Sequence, residues 1–114
     1  MQRDIEAIKV LYALFNARAM DRLLASMDPE VVWANGMDGG YVHGREGVRA
    51  YWTRQWSIID PHVEPETFSS GEAGTVEVGV HQVVRDLKSE LLVDKRLTHS
   101  FQIKKGLVTR FDIR

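Results

Sequence analysis

Cysteine is absent from this 114-residue chain, which excludes disulfides and thiolate chemistry. Absence of cysteine suits a reducing compartment. Proline occurs three times, at Pro29, Pro61 and Pro65, so enforced breaks are few. No charge of one sign predominates: the formal net charge is -1 and no basic run exceeds two residues. That leaves no electrostatic footprint for nucleic acid. No apolar run approaches the roughly 20 residues that cross a bilayer. The opening Met1-Gln2-Arg3-Asp4 has no secretory apolar segment, so a soluble cytoplasmic protein without a membrane partner is the expectation. There is no phosphate loop, dinucleotide fingerprint or nucleophile elbow, and no cofactor is expected. His43, His62, His81 and His99 lie far apart without metal-ligand spacing, and no metal is expected.

What is present suits one domain spanning residues 1–114, with 44% hydrophobic residues to fill a core. Ile5, Ile8, Leu11, Tyr12 and Phe15 recur at spacings of three and four and mark a helical face. Asn16-Ala17-Arg18 interrupts it. Met20, Leu23, Leu24 and Met27 form a second helical stripe, ended by Asp28-Pro29 because the residue before proline leaves the helical region. Residues 30–35 read as a strand and the glycine-rich residues 36–44 as a loop. Residues 45–57 read as a third helix, with Val48, Trp52 and Trp56 on one face.

The remainder alternates as sheet. Strands are expected at 62–69, 75–86, 91–104 and 107–113, with turns at Gly71–Gly74, Lys88–Glu90 and Lys105-Gly106. Pro65 pushes the first of these toward an edge. Three helices followed by a run of strands is an α+β pattern. The expected architecture is a cone-shaped single domain, with three N-terminal helices packed in a curved antiparallel sheet. Gly71, Gly74 and Gly79 offer sites for bends and bulges.

The helical Tyr12, the strand Val31-Val32-Trp33-Ala34-Asn35, the glycine-rich stretch and the phrase His43-Gly44-Arg45-Glu46 opening an aromatic helix belong together. In that combination the chain resembles the nuclear transport factor 2-like superfamily, which includes ketosteroid isomerases, SnoaL-like polyketide cyclases and dehydratases. The resemblance spans nearly the whole chain. It is strongest over residues 5–57 and 97–113, and it implies a lidded apolar pocket. Against the ketosteroid isomerases, the helical tyrosine falls on Tyr12 and the general-base aspartate falls on Asn35. The late-strand carboxylic acid of the oxyanion hole falls near His99, and a supporting tyrosine falls on Trp52. One of these four positions is kept and three are changed.

The exchange at Asn35 removes a general base, because an amide does not accept a proton in that role. Asn35 is left either to orient a carbonyl or water, or to bond backbone at the strand end. His99 shares its strand face with Leu97 and Phe101. Burial there would lower its pKa and keep it neutral, as a base or as a satisfied core residue. Tyr12 either donates to a developing oxyanion or packs with its hydroxyl bonded. Valine parity in 75–86 turns Gln82 inward and His81 outward. Tyr12, Asn35 and His99 are thus the candidate catalytic residues, and Trp33, Trp52, Gln82, Leu97 and Phe101 the candidate pocket wall. Asp38 is a solvated loop acid or reaches a pocket mouth.

The expected ligand is an apolar, carbonyl-containing small molecule. The resemblance implies isomerisation, dehydration or aldol-type cyclisation as the reaction class. A non-catalytic binding domain with the same pocket and a dimeric interaction domain are the competing readings. Related domains pair through their sheets, so a homodimer is expected, with a polar, wet interface.

Overall fold

The first helix ends where the sequence pattern breaks, and the reason is local. Ala19 N–H donates to Leu14 C=O at 2.9 Å and Arg18 N–H to Phe15 C=O at 3.0 Å. Arg18 itself sits at φ 60, so a non-glycine residue occupies the left-handed position of a helix-terminating turn. The computed structural model describes residues 2–114. Its elements are α1 (Gln2–Asn16), α2 (Met20–Ala25), β1 (Met27–Ala34), β2 (Tyr41–His43), α3 (Gly44–Ile58), β3 (Ile59–Ser70), β4 (Val76–Asp86), β5 (Leu91–Lys104) and β6 (Leu107–Ile113). No helix among the described residues is long and apolar enough to cross a membrane.

One six-stranded sheet has the order β2-β1-β6-β5-β4-β3. The α+β class holds, with three helices and a mixed sheet. The expected antiparallel sheet needs one correction: β1 and β6 run parallel, with Val32 opposite Arg110 and Trp33 opposite Phe111. The strands β3 to β6 are joined by short turns and must alternate in direction. β1 meets β6 only after the whole intervening chain, so alternation along either strand carries no information about their relative direction.

Two local differences also have simple causes. Met27 begins β1 rather than closing the second helix, and α2 is only six residues long. The expected loop 36–44 contains β2, whose three residues pair with Val32, Trp33 and Ala34. A strand that short, between glycines, shows no period. Curvature comes from register shifts. Glu66 is the extra residue between Pro65 and Thr67 opposite Val80 and Gly79, and a Cβ at Gly79 would collide with the Thr67 hydroxyl. Gly71 and Gly74 instead frame a 3-10 turn, with Gly74 at φ 76.

The inner sheet face carries Val76, Val78 and Val80 of β4, Phe101 of β5, Phe111 of β6 and Trp33 of β1, all buried. Ile8, Leu11 and Tyr12 of α1 and Val48, Tyr51 and Trp52 of α3 close over it. Trp33 stacks on Phe111 at 4.1 Å between centroids and meets Trp52 edge-on at 5.2 Å. Two polar clamps fix the helices. The Asn16 amide donates to Val63 C=O at 2.9 Å and accepts from Val63 N–H at 3.0 Å, serving as a strand partner for β3. Arg45 donates from Nε and Nη2 to Met27 C=O at 2.9 and 2.6 Å, tying the start of α3 to the start of β1.

Candidate functional site

The helices do not fill the sheet's concave face. Between α1, α3 and the strands lies a cavity of about 320 Å³. Leu11, Phe15, Trp33, Trp52, Val84, Phe101 and Phe111 make its wall apolar. Into that wall α1 brings Tyr12 and β5 brings His99. Tyr12 Oη and His99 Nδ1 are 2.7 Å apart, and the two rings stack at 5.9 Å. Both residues are buried, Tyr12 at 4% and His99 at 6% exposure.

Burial sets their protonation. Desolvation disfavours the charged form of each group, which lowers a histidine and raises a tyrosine. The His99 imidazole is pushed down from 6.5 to about 4, and the Tyr12 phenol is raised well above its ordinary value. The pair is therefore neutral at physiological pH. Two tautomers satisfy it. If Tyr12 donates to Nδ1, His99 carries its proton on Nε2. If Nδ1 donates to Tyr12, the phenol proton is free and Nε2 has an open lone pair. Either way the pair presents one N–H or O–H donor toward the apolar space.

A second polar group lies on the α3 side. Tyr51 and Gln55 both line the cavity. Tyr51 Oη accepts from Gly36 N–H at 3.0 Å and from Gln55 Nε2 at 3.1 Å. Gln55 Oε1 is buried without a hydrogen-bond partner. Burial raises the Tyr51 phenol, a shift opposed by the backbone of Gly36 and Met37.

The loop 36–40 covers one side, with Met37 on the cavity wall. Asn35 holds that loop: its Oδ1 accepts from Met37 N–H at 3.0 Å and from Asp38 N–H at 2.8 Å. Asn35 lines an adjoining pocket of about 360 Å³ with Gly40, Tyr41, Leu97 and His99, a space it shares with His99 and not with Tyr12. The two spaces share Ala34, Gly36, Gln82, Lys95, His99 and Ile113. Leu97 likewise belongs to the adjoining pocket and not to the wall around Tyr12. Asp38 pairs with Arg54 at 2.6 Å on the exposed side. Trp33, Trp52, Gln82 and Phe101 line the inner cavity, whereas His81 faces the opposite side and bonds Asp94 at 2.6 Å. Among the described residues no three His, Asp or Glu side chains converge as a metal would require.

Lys95, Tyr51, Gln55 and Met37 also line the cavity and were not singled out in the sequence. Lys95 shares the parity of Val93, Leu97, His99 and Phe101. Tyr51 and Gln55 flank the Val48–Trp52 stripe at spacings of three and four, where a wider helical face reaches. Met37, in a loop, has no such signal.

Residues 8–111 match the family model described as SnoaL-like domain. No curated protein sequence matches the chain significantly. Among solved structures, an NTF2-like protein of unknown function from Burkholderia pseudomallei is 23% identical with a TM-score of 0.85, over 100% of this chain and 91% of that one. TerC, co-crystallized with polyporic acid, is 25% identical with a TM-score of 0.84, over 98% and 90%. A Mycobacterium tuberculosis protein in complex with estradiol-17beta-hemisuccinate is 17% identical with a TM-score of 0.82, over 97% and 92%. The fold is that of the NTF2-like protein along the whole chain, and with a family model matching residues 8–111 the chain belongs to the SnoaL-like domain family.

Proposed function

We propose that the chain binds an apolar, carbonyl-containing small molecule in the inner cavity and acts on it by polarising the carbonyl. The observation that carries this reading is the buried 2.7 Å hydrogen bond between Tyr12 and His99 on the cavity wall, packed against Phe101 and Phe111. A donor preorganised in a water-poor site is worth most where negative charge develops on oxygen. In the tautomer with Nδ1–H donating to Tyr12, the phenol donates to the substrate oxygen. The free Nε2 of neutral His99 then serves as the proton acceptor for enolisation, and returns the proton to carbon or to a leaving group. Asn35 holds the covering loop, and Trp33, Trp52 and Phe101 pack the ligand body. TerC with polyporic acid and the steroid complex of the mycobacterial protein show cyclic ligands in neighbours of this fold.

A non-catalytic binding protein uses the same contacts without turnover. The two readings separate on Tyr12→Phe and His99→Gln. Mass spectrometry of small molecules co-purified with the protein supplies the ligand. An enzyme turns over more slowly in both variants, whereas a binder changes in affinity and shows no turnover before or after. A native ligand without a carbonyl, or unchanged turnover in both variants, removes the carbonyl reading.

The homodimer is part of the same proposal. The outer sheet face carries ion pairs, Arg96 with Glu66 at 2.9 Å and Arg110 with Asp112 at 2.8 Å, which suits a wet interface between copies. Analytical ultracentrifugation decides it: a single monomeric species at high concentration excludes the pairing.

A further inference from the structure

One formal charge stands on the walls of the two connected spaces, and it is positive. Along β5, Val93, Lys95, Leu97, His99 and Phe101 all turn to the inner cavity or the adjoining pocket, so a lysine interrupts a run of apolar and aromatic side chains. Lys95 and Gln82 are cross-strand partners, and each lines both spaces. No Asp or Glu lines either one. The nearby acids are engaged elsewhere: Asp94 with His81 at 2.6 Å, Glu66 with Arg96 at 2.9 Å and Asp38 with Arg54 at 2.6 Å. Among the described residues no carboxylate pairs with Lys95, and the side chain is exposed and open to a ligand. A cation at the mouth of a low-dielectric cleft without an opposing charge draws in a negative group. Neutral donors stand with it. Asn35 Oδ1 accepts from Met37 N–H and Asp38 N–H, which fixes the amide's orientation and leaves Nδ2 as the free arm in the adjoining pocket. Asn35 and Gln82 are half-buried, and their free amide groups, unlike Gln55 Oε1, are not shut away from solvent.

We propose that Lys95 binds a carboxylate carried by the ligand, with the Asn35 and Gln82 amides as neutral donors beside it. This rests on the cavity reading above and sharpens the substrate class. The ligand is an apolar ring compound with a carbonyl at Tyr12 and His99 and a carboxylate at the mouth. Four residues of β5 separate His99 from Lys95, about 13 Å along a strand. The two polar groups therefore stand at opposite ends of the ligand, with its ring body between them against the aromatic wall. A carboxylate brings one negative charge to one cation, whereas a phosphate monoester brings up to about two. A ligand ammonium meets like charge. Lys95 stays at the rim, where water still reaches it, so the contact selects the ligand and steers its approach more than it adds affinity.

The test titrates tetralone, tetralones carrying a carboxylate on linkers of increasing length, and the matching methyl esters into the full chain by calorimetry. At least one acid is expected to bind roughly three- to thirtyfold more tightly than its own ester and than tetralone, between the worth of an exposed ion pair and that of a hydrogen bond to a charged group. The preference should shrink as salt is added. Lys95→Met removes the charge and keeps an unbranched stem, and acid and ester should then bind equally. Lys95→Glu should reverse their order. Tyr12→Phe is expected to weaken acid and ester alike and to keep their ratio. Ketone binding in which no acid is preferred over its ester, or a preference that survives both Lys95 substitutions, overturns the Lys95 assignment and leaves the cavity reading standing. Failure of every member of the series to bind overturns the cavity reading and this inference with it.

Discussion

Acid should remove a measurable part of the stability through His99 alone. The folded protein holds this imidazole at about 4, against 6.5 in the unfolded chain, because burial among Tyr12, Phe101 and Phe111 excludes the charged form. Stability rises with pH wherever the unfolded state binds more protons. Above about pH 6.5 neither state protonates His99 and the full stability is present. As pH falls, the unfolded chain takes up its proton first, and the loss is complete below the folded value. At about 1.4 kcal/mol per pKa unit the loss is about 3 kcal/mol. That is a large share of a typical 5–15 kcal/mol (about) for a small domain. Urea unfolding followed by tryptophan fluorescence, at steps from about pH 7 to 4, gives the dependence. His99→Gln keeps a polar contact for Tyr12 and does not titrate. Asp112 and Glu66, held low chiefly by hydrogen bonds from Arg110 and Arg96, also weaken the fold in acid. They do so in both proteins and cancel in the comparison. The stability gap between native protein and variant should therefore shift by about 3 kcal/mol in the variant's favour across the window. A gap constant within about 0.5 kcal/mol, the usual limit of additivity, would refute the assignment of a buried neutral histidine.

Other substitutions read other parts of the structure. Trp52→Ala empties the contact of three aromatic neighbours, Phe15, Trp33 and Trp56, and should cost about 3–5 kcal/mol by calorimetric or urea unfolding. Asn35→Ala should cost about 1–2 kcal/mol and speed amide exchange at Met37 and Asp38; unchanged exchange there would mean the loop is held otherwise. Steroid isomerase turnover should be little or none, because the resembled enzymes carry their base where Asn35 stands; robust turnover of a 5-ene-3-ketosteroid contradicts this. Asn35→Asp keeps the loop bonds and puts a carboxylate in the pocket that His99 also lines; a gain of isomerase activity would support the alignment with the resembled enzymes, and no gain would count against it.

Periodicity located the strands 91–104 and 107–113, although burial alternates in neither: Leu91 and Leu92 are exposed, Ser100 is buried between His99 and Phe101, and Val108 and Phe111 are buried at opposite parity. It could not show that β6 pairs parallel with β1, since pairing between distant segments leaves no mark on either one. The face of each residue was legible and its depth was not. Parity turned Gln82, Leu97 and His99 inward together, yet Leu97 sits in the adjoining pocket while His99 lines both spaces. The phrase Gly44-Arg45-Glu46 marked a helix start, but its arginine turned out to be a clamp on Met27 C=O, a contact between residues 18 positions apart that no local pattern encodes. Gln55 is illegible in the sequence for a related reason. A glutamine between two tryptophan turns reads as the polar edge of a helix, and only the geometry shows its oxygen buried and unpaired.

The opposite shifts of Tyr12 and His99 limit what the pair does chemically. Tyrosine is already the weaker acid, and burial raises the phenol while lowering the imidazole. Transferring the phenol proton to His99 would create two buried charges at once, so a tyrosinate–imidazolium pair is disfavoured twice over. In the proposed chemistry Tyr12 is therefore the donor and not the base, and the proton acceptor is the neutral imidazole. This predicts a distinctive pH–rate profile for the native substrate. Activity should fall on the acid side with an apparent value near 4, where His99 protonates, and should stay flat through neutral pH and past the ordinary tyrosine range, because burial raises the Tyr12 phenol. His99→Gln should abolish the acid limb, and Tyr12→Phe should lower the plateau while leaving the limb in place. An alkaline fall beginning near neutral pH, or an acid limb near 6.5, would mean that His99 is solvated in the working enzyme and that the apolar cavity is not where the chemistry occurs.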